Sequence, residues 1–163
     1  DNILFNHMNL TLLPSAFNIE NINLLRKKEN TVVDGNFSKF TYANELFIMN
    51  GMYLLFPVNK LLYTQDAKFI YNTYPPYDKE NLNYIKQMSK IEMEILEYYK
   101  HVNNIHKKSI DIISKKLYSG NIRLYSNTNN KFNIKHLIIK ISGIWETMDE
   151  VGLAIRLLYN GEE

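Results

Sequence analysis

Residues 78–120 read DKENLNYIKQMSKIEMEILEYYKHVNNIHKKSIDIISKKLYSG, and how they fold decides the rest. Apolar residues recur at Tyr84, Met88, Ile91, Ile95, Tyr98, Val102, Ile105 and Ile112 in steps of four and three, with Ser109 standing where the next would fall. That spacing brings side chains back to one helix face every two turns, so it predicts one helix over about residues 79–118 with a heptad seam. Asp78 follows Pro75 and Pro76 at a natural N-cap, and Lys115 and Lys116 precede Gly120, as the helix dipole and a left-handed C-cap favour. At 1.5 Å per residue the helix would approach about 60 Å, more than the width of a compact domain of this chain length. It must project, pair with a second copy, or break. The natural break is at Asn103 and Asn104, two adjacent weak helix formers.

The seam itself has two readings. Tyr84, Met88, Ile91, Ile95, Tyr98, Val102 and Ile105 could pair between copies and build a homo-oligomer. Alternatively, a second stripe of Leu82, Ile85, Leu96 and Tyr99, continued by Ile110, Ile113 and Leu117, widens the apolar face and suits packing on the chain's own sheet.

Outside this stretch the pattern becomes that of strands. Asp34-Gly35, between Thr31-Val32-Val33 and the β-prone residues 36–42, is a hairpin signal. Asn50-Gly51 is either a tight type I′ turn or a bulge at Gly51 that lets one long strand bend. Lys68-Phe69-Ile70-Tyr71 adds a piece before the prolines, and residues 122–125 follow the helix. Residues 134–159 form the clearest hairpin. Leu137, Ile139, Ile141 and Trp145 share one face of its first strand, and Leu153, Ile155, Leu157 and Tyr159 share one face of its second. Gly143, in mid-strand, signals a bend or a close backbone approach. Residues 1–30 have no clean period and read as an arm covering a sheet edge, with a turn near Pro14 and a helical turn over residues 20–27. The expected fold is α+β in one domain, with an arm (1–30), strands (31–74), the long helix (78–119) and C-terminal strands (121–160). Its antiparallel sheet either closes into an OB-like barrel or stays open beneath the helix.

Composition narrows the function classes. The chain has 163 residues, of which 45% are hydrophobic, enough for a core. It has no cysteine, which rules out disulfides and thiolate metal sites and fits a reducing intracellular compartment, cytoplasm or nucleus. No apolar run is long enough to span a bilayer and the opening lacks a secretory layout, so no membrane partner is expected. The abundance of Asn, Ile, Lys and Tyr matches AT-rich coding, as in some parasites and large DNA viruses. The net charge of +2 hides an asymmetry: Lys100, Lys107, Lys108, Lys115, Lys116, Arg123, Lys131, Lys135 and Lys140 face the single acid Asp111. That segment is either a polyanion footprint or a face neutralised by acids from elsewhere in the fold.

The run Ile139-Lys140-Ile141-Ser142-Gly143-Ile144-Trp145-Glu146, an acidic turn, then Val151-Gly152-Leu153-Ala154-Ile155-Arg156-Leu157 resembles the closing hairpin of OB-fold single-stranded-DNA-binding proteins of phages and large DNA viruses. The resemblance implies sequence-tolerant binding of a single strand, while the long helix departs from the short helix usual in such barrels. Single-strand binding needs cations along the phosphates and aromatic faces for unstacked bases. The residues that fit are Lys39, Phe40, Tyr42, Arg123, Tyr125, Lys131, Lys135, Lys140 and Arg156, although each aromatic taken singly is of a type that fills cores more often than it stacks on bases. Catalysis has no such pattern. His7, His101, His106 and His136 form no ligand pair, Glu92, Glu94 and Glu97 read as solvated helix charges, and there is no phosphate loop, nucleophile elbow or triad. A non-catalytic protein without cofactor or metal is expected, binding single-stranded nucleic acid or, alternatively, self-associating as a scaffold.

Overall fold

A computed structural model describes residues 4–6, 9–29, 35–125 and 133–162. Its spine is the C-terminal hairpin, and the strands are best named in chain order before that hairpin is taken up. The arm contributes β1 (Leu4–Asn6), β2 (Asn9–Leu12), β3 (Ile22–Leu24) and β4 (Lys28–Glu29), followed by β5 (Asn36–Ala43), β6 (Ile48–Asn50) and β7 (Met52–Phe56). Next come β8 (Leu62–Gln65), β9 (Phe69–Thr73), helix α1 (Lys79–Asn103), β10 (Lys108–Ile110) and helix α2 (Ile112–Tyr118). β11 (Asn121–Tyr125), β12 (Asn133–Glu146) and β13 (Glu150–Glu162) close the chain. The architecture is α+β: ten strands form one sheet curled into a half-barrel, and β11, β9 and β8 form a second, three-stranded sheet.

β12 holds the large sheet together. One edge pairs along β13, and the other pairs with β7 over Leu137 to Ile141 and then with β5 over Gly143 to Glu146. The register with β13 jumps between Ile141 and Gly143, so Ser142 is an extra residue, a bulge. One inserted residue reverses the alternation that follows. Leu137, Ile139 and Ile141 face the core, after which Ile144 and Glu146 take the inner positions. Trp145 is thereby moved off the face it was expected to share with Ile141. It lies half-buried over Gly152, where a Cβ would come within 2.2 Å of its ring, and its indole N–H donates to the Leu153 carbonyl at 3.2 Å. Gly143 fulfils the expected close approach, because a Cβ there would lie 2.5 Å from the Ser38 carbonyl oxygen.

Asn50-Gly51 is not a hairpin turn. β6 pairs with β5 while β7 pairs with β12, so Gly51 is the bend at which one strand passes between two neighbours. Its φ of +75° suits glycine, and a side chain would meet the Ile141 carbonyl oxygen at 2.5 Å. Residues 31–34 of the expected Asp34-Gly35 hairpin lie outside the described residues. The arm covers edges as expected, β2 running along β7 and β3 and β4 along β5. The helical turn expected over 20–27 is reduced to a single 3₁₀ turn, Ile19–Asn21, followed by β3.

The single helix expected over 79–118 is two helices. Asp78 caps α1 by accepting from the Glu80 N–H at 3.3 Å, and Asn104 ends it in the left-handed conformation (φ 50°, ψ 52°). The chain then adds β10 parallel to β13 before α2 begins. Glu92, expected to be solvated, is 2% exposed and accepts from the Ile113 N–H at 2.9 Å and the Ser114 N–H at 3.4 Å, so a side chain of α1 caps α2. Burial pushes its carboxyl above the usual range, with those two N–H groups opposing. Most of the seam and the second stripe turn into the core: Ile85, Met88, Ile91, Ile95, Leu96 and Tyr99 are buried. Among the described residues no helix is long and apolar enough to cross a membrane.

Candidate nucleic-acid interface

The small sheet is amphipathic by strict alternation. Ile70, Asn72, Ile122 and Leu124 turn inward and are buried, which leaves Phe69, Tyr71, Arg123 and Tyr125 on the outer face. Antiparallel register sets Tyr125 opposite Phe69 and Arg123 opposite Tyr71. The Phe69 ring is the centre of the group: Tyr125 lies 5.0 Å and Tyr71 6.0 Å from it, centroid to centroid, and the Arg123 guanidinium sits 4.5 Å above it. Lys68 reaches the same ring at 5.3 Å. Tyr125 is 67% and Tyr71 42% exposed, so both present ring surface to solvent. The tight β8–β9 turn that holds Lys68 and Phe69 is built by Asp66, which accepts from both of their backbone N–H groups at 2.7 Å and 2.8 Å. The Phe69 and Lys68 N–H groups hold its carboxyl below the usual carboxylate range.

Beside this face, β11 and β13 bound a cleft of about 470 Å³ lined by Lys116, Arg123, Tyr125, Arg156, Leu158 and Tyr159. Lys140 is the cross-strand partner of Arg156, which places both on one face of the large sheet, and its ammonium lies 5.5 Å over the Tyr53 ring. Among the described residues, no carboxylate lies within ion-pair distance of Lys116, Arg123, Lys140 or Arg156. Within the described residues their positive charge has no ion-pair partner.

The basic segment is thus divided by the fold. Lys100 pairs with Glu97 at 3.1 Å, and Lys107 pairs with buried Glu146 at 2.7 Å. Glu146 also receives Lys27 from the arm at 3.1 Å and the Tyr99 hydroxyl at 2.8 Å. Burial pushes the Glu146 carboxyl up, but Lys107, Tyr99 and Lys27 together hold it below the usual range. Burial raises the Tyr99 hydroxyl to about 12. These cations serve the fold, as a neutralised face requires, while Lys116, Arg123 and Lys140 have no carboxylate partner among the described residues.

Of the residues singled out by sequence, Arg123, Tyr125 and Arg156 meet at one cleft and Lys140 adjoins Arg156. Phe40 and Tyr42 do not belong to a binding surface. Each is 1% exposed, and Tyr42 stacks between Phe17 and Phe47 in the core. Lys39 is exposed but sits on β5 opposite Gly143 and does not line the cleft. Lys131 lies outside the described residues, and Lys135 is on β12. Within the proposed pairing seam, Met88, Ile91 and Ile95 are interior, Tyr84, Tyr98 and Ile105 are half-buried against the core, and Val102 is 54% exposed. The sequence reading did not place Phe69 and Tyr71 at the site, and it held Lys116 only as one member of the basic segment. The signal for the first two was present in the alternation of Phe69 and Tyr71 with Ile70 and Asn72. Among the described residues, no group of three His, Asp or Glu is placed to hold a metal ion. No protein family, no curated protein and no solved structure matches the chain.

Proposed function

We propose that the chain binds single-stranded nucleic acid, without catalysis and without reading sequence, on the outer face of the small sheet and in the adjoining cleft. The observation that carries this is the convergence of three rings, Phe69, Tyr71 and Tyr125, with Arg123, Lys116 and Arg156, none of these three cations paired to a carboxylate among the described residues. Exposed rings accept the π-face of any unstacked base, and the neighbouring cations track phosphates, so affinity follows without base-edge contacts. A duplex hides its base faces, which favours a single strand. The resemblance of the C-terminal hairpin to viral and phage single-stranded-DNA-binding proteins supports the same reading from the sequence side. A scaffold pairing through the seam would need Met88, Ile91 and Ile95 at the surface, and they are in the interior. The test is a fluorescence titration with single- and double-stranded oligonucleotides at two salt concentrations. Tight, salt-sensitive binding of the single strand is expected; no binding of either oligonucleotide at low salt would refute the proposal.

A further inference from the structure

α2 stands between the cleft and a second depression. That depression, about 530 Å³, runs between α1 and α2, and its lining includes Lys86, Lys90, Met93, Lys115, Tyr118 and one acid, Asp111. The helical period explains the arrangement. Ile113 and Leu117 anchor α2 in the core, so Lys115 is turned to the groove and its neighbour Lys116 to the cleft. Lys86, Lys90 and Lys115 are all exposed. Their acidic neighbours hold them weakly: Lys90 is 3.9 Å from Glu94 and Lys115 is 3.8 Å from Asp111, with most of each lysine side chain in solvent. The groove also has its own aromatic end. Tyr118 lies against Tyr77, ring centroids 6.1 Å apart, and Tyr77 is 74% exposed.

Both depressions therefore set lysines beside aromatic rings, the groove with Asp111 on its wall as well, and they are separated by the width of a single two-turn helix whose outer side carries Lys115 and Lys116. We infer that the groove between α1 and α2 is a second subsite for the same strand, which crosses α2 after leaving the cleft. This rests on the function proposed above. The occupant is a polyanion because three lysines outnumber the single carboxylate, Asp111, in the groove's lining, and a single strand because only that continues from the ring-lined face.

The experiment compares fluorescein-labelled oligothymidylates of about 5 and about 16 nucleotides, the range that one such module covers. The proteins are the wild type, Arg123→Ala, the triple variant Lys86→Ala/Lys90→Ala/Lys115→Ala, and a control triple Lys28→Ala/Lys79→Ala/Lys108→Ala with the same change in net charge. For the triple groove variant, affinity for the longer oligonucleotide should fall by roughly tenfold or more and the slope of log affinity against log salt should shrink by about two, while the shorter one binds within about twofold of wild type. The control triple should bind both lengths like the wild type. Unchanged binding of the longer oligonucleotide by the groove variant, or an equal loss for both lengths or in the control triple, overturns the subsite. If the wild type binds and Arg123→Ala weakens it while the groove variant does not, only the subsite falls. If the wild type binds neither length, the proposed function falls and the subsite with it.

Discussion

Phe40 and Tyr125 are both aromatic strand residues close to a cation in sequence, yet they have opposite roles because one strand faces the half-barrel interior and the other faces water. Phe40→Ala should cost about 3–5 kcal/mol of stability through the cavity it leaves, read as a lowered thermal midpoint. Tyr125→Ala should leave that midpoint near wild type and weaken single-strand binding by about 1–3 kcal/mol, read by titration. Glu146 allows a different test. Its carboxyl lies below the ordinary value of 4.5, so it stays ionised in the folded chain where an unfolded chain would already take up a proton. The stability it contributes is complete above that ordinary value and is lost as pH falls through the lower folded one. Glu146→Gln should therefore flatten the acid side of the stability profile. At neutral pH it should cost about 2 kcal/mol, less than the ~3–5 kcal/mol of a fully buried pair, because the two lysine side chains keep 33% and 26% of their exposure. Alternation along a strand tells which side chains share a face but not which face meets water, and for that reason Phe40 and Tyr42, expected at a binding surface, lie in the interior, whereas Arg123 and Tyr125 lie on the outer face of the small sheet.

At the scale of elements, the features that shape the sheet are single-residue irregularities. Ser142 inserts a bulge that reverses the inward face of β12, and Gly51 lets one strand serve two partners. Gly51→Ala should destabilise by at least about 2 kcal/mol, since it adds left-handed strain and a clash with a backbone oxygen that has little room to move. Denaturant midpoints would measure it. The existence of the helix, its N-cap at Asp78 and its weak point at Asn103 and Asn104 were all legible from spacing and propensity. A break there was one of the alternatives the spacing left open, but the insertion of β10 before α2 was not legible. The gain lies in tertiary pairing of β10 with β13 and in capping by Glu92, neither of which is encoded near the break. The broad apolar face formed by the seam and its second stripe did point to packing on the sheet, and that is where α1 lies.

The molecule as a whole sorts its cations into two populations. Lys27, Lys100 and Lys107 are tied to carboxylates, two of them on Glu146, whereas Lys116, Arg123, Lys140 and Arg156 collect where no acid of the described residues reaches. Charge counting along the chain found the basic segment but could not divide it, because the acids that neutralise one half come from β12 and α1. The most direct measurement is the salt dependence of single-strand binding for wild type and for Arg123→Ala/Arg156→Ala. Wild type should bind with log affinity falling linearly with log salt, and the double variant should bind more weakly with a slope smaller by about one to two. An unchanged slope and affinity in the double variant would contradict the assignment of this cleft as the nucleic-acid interface.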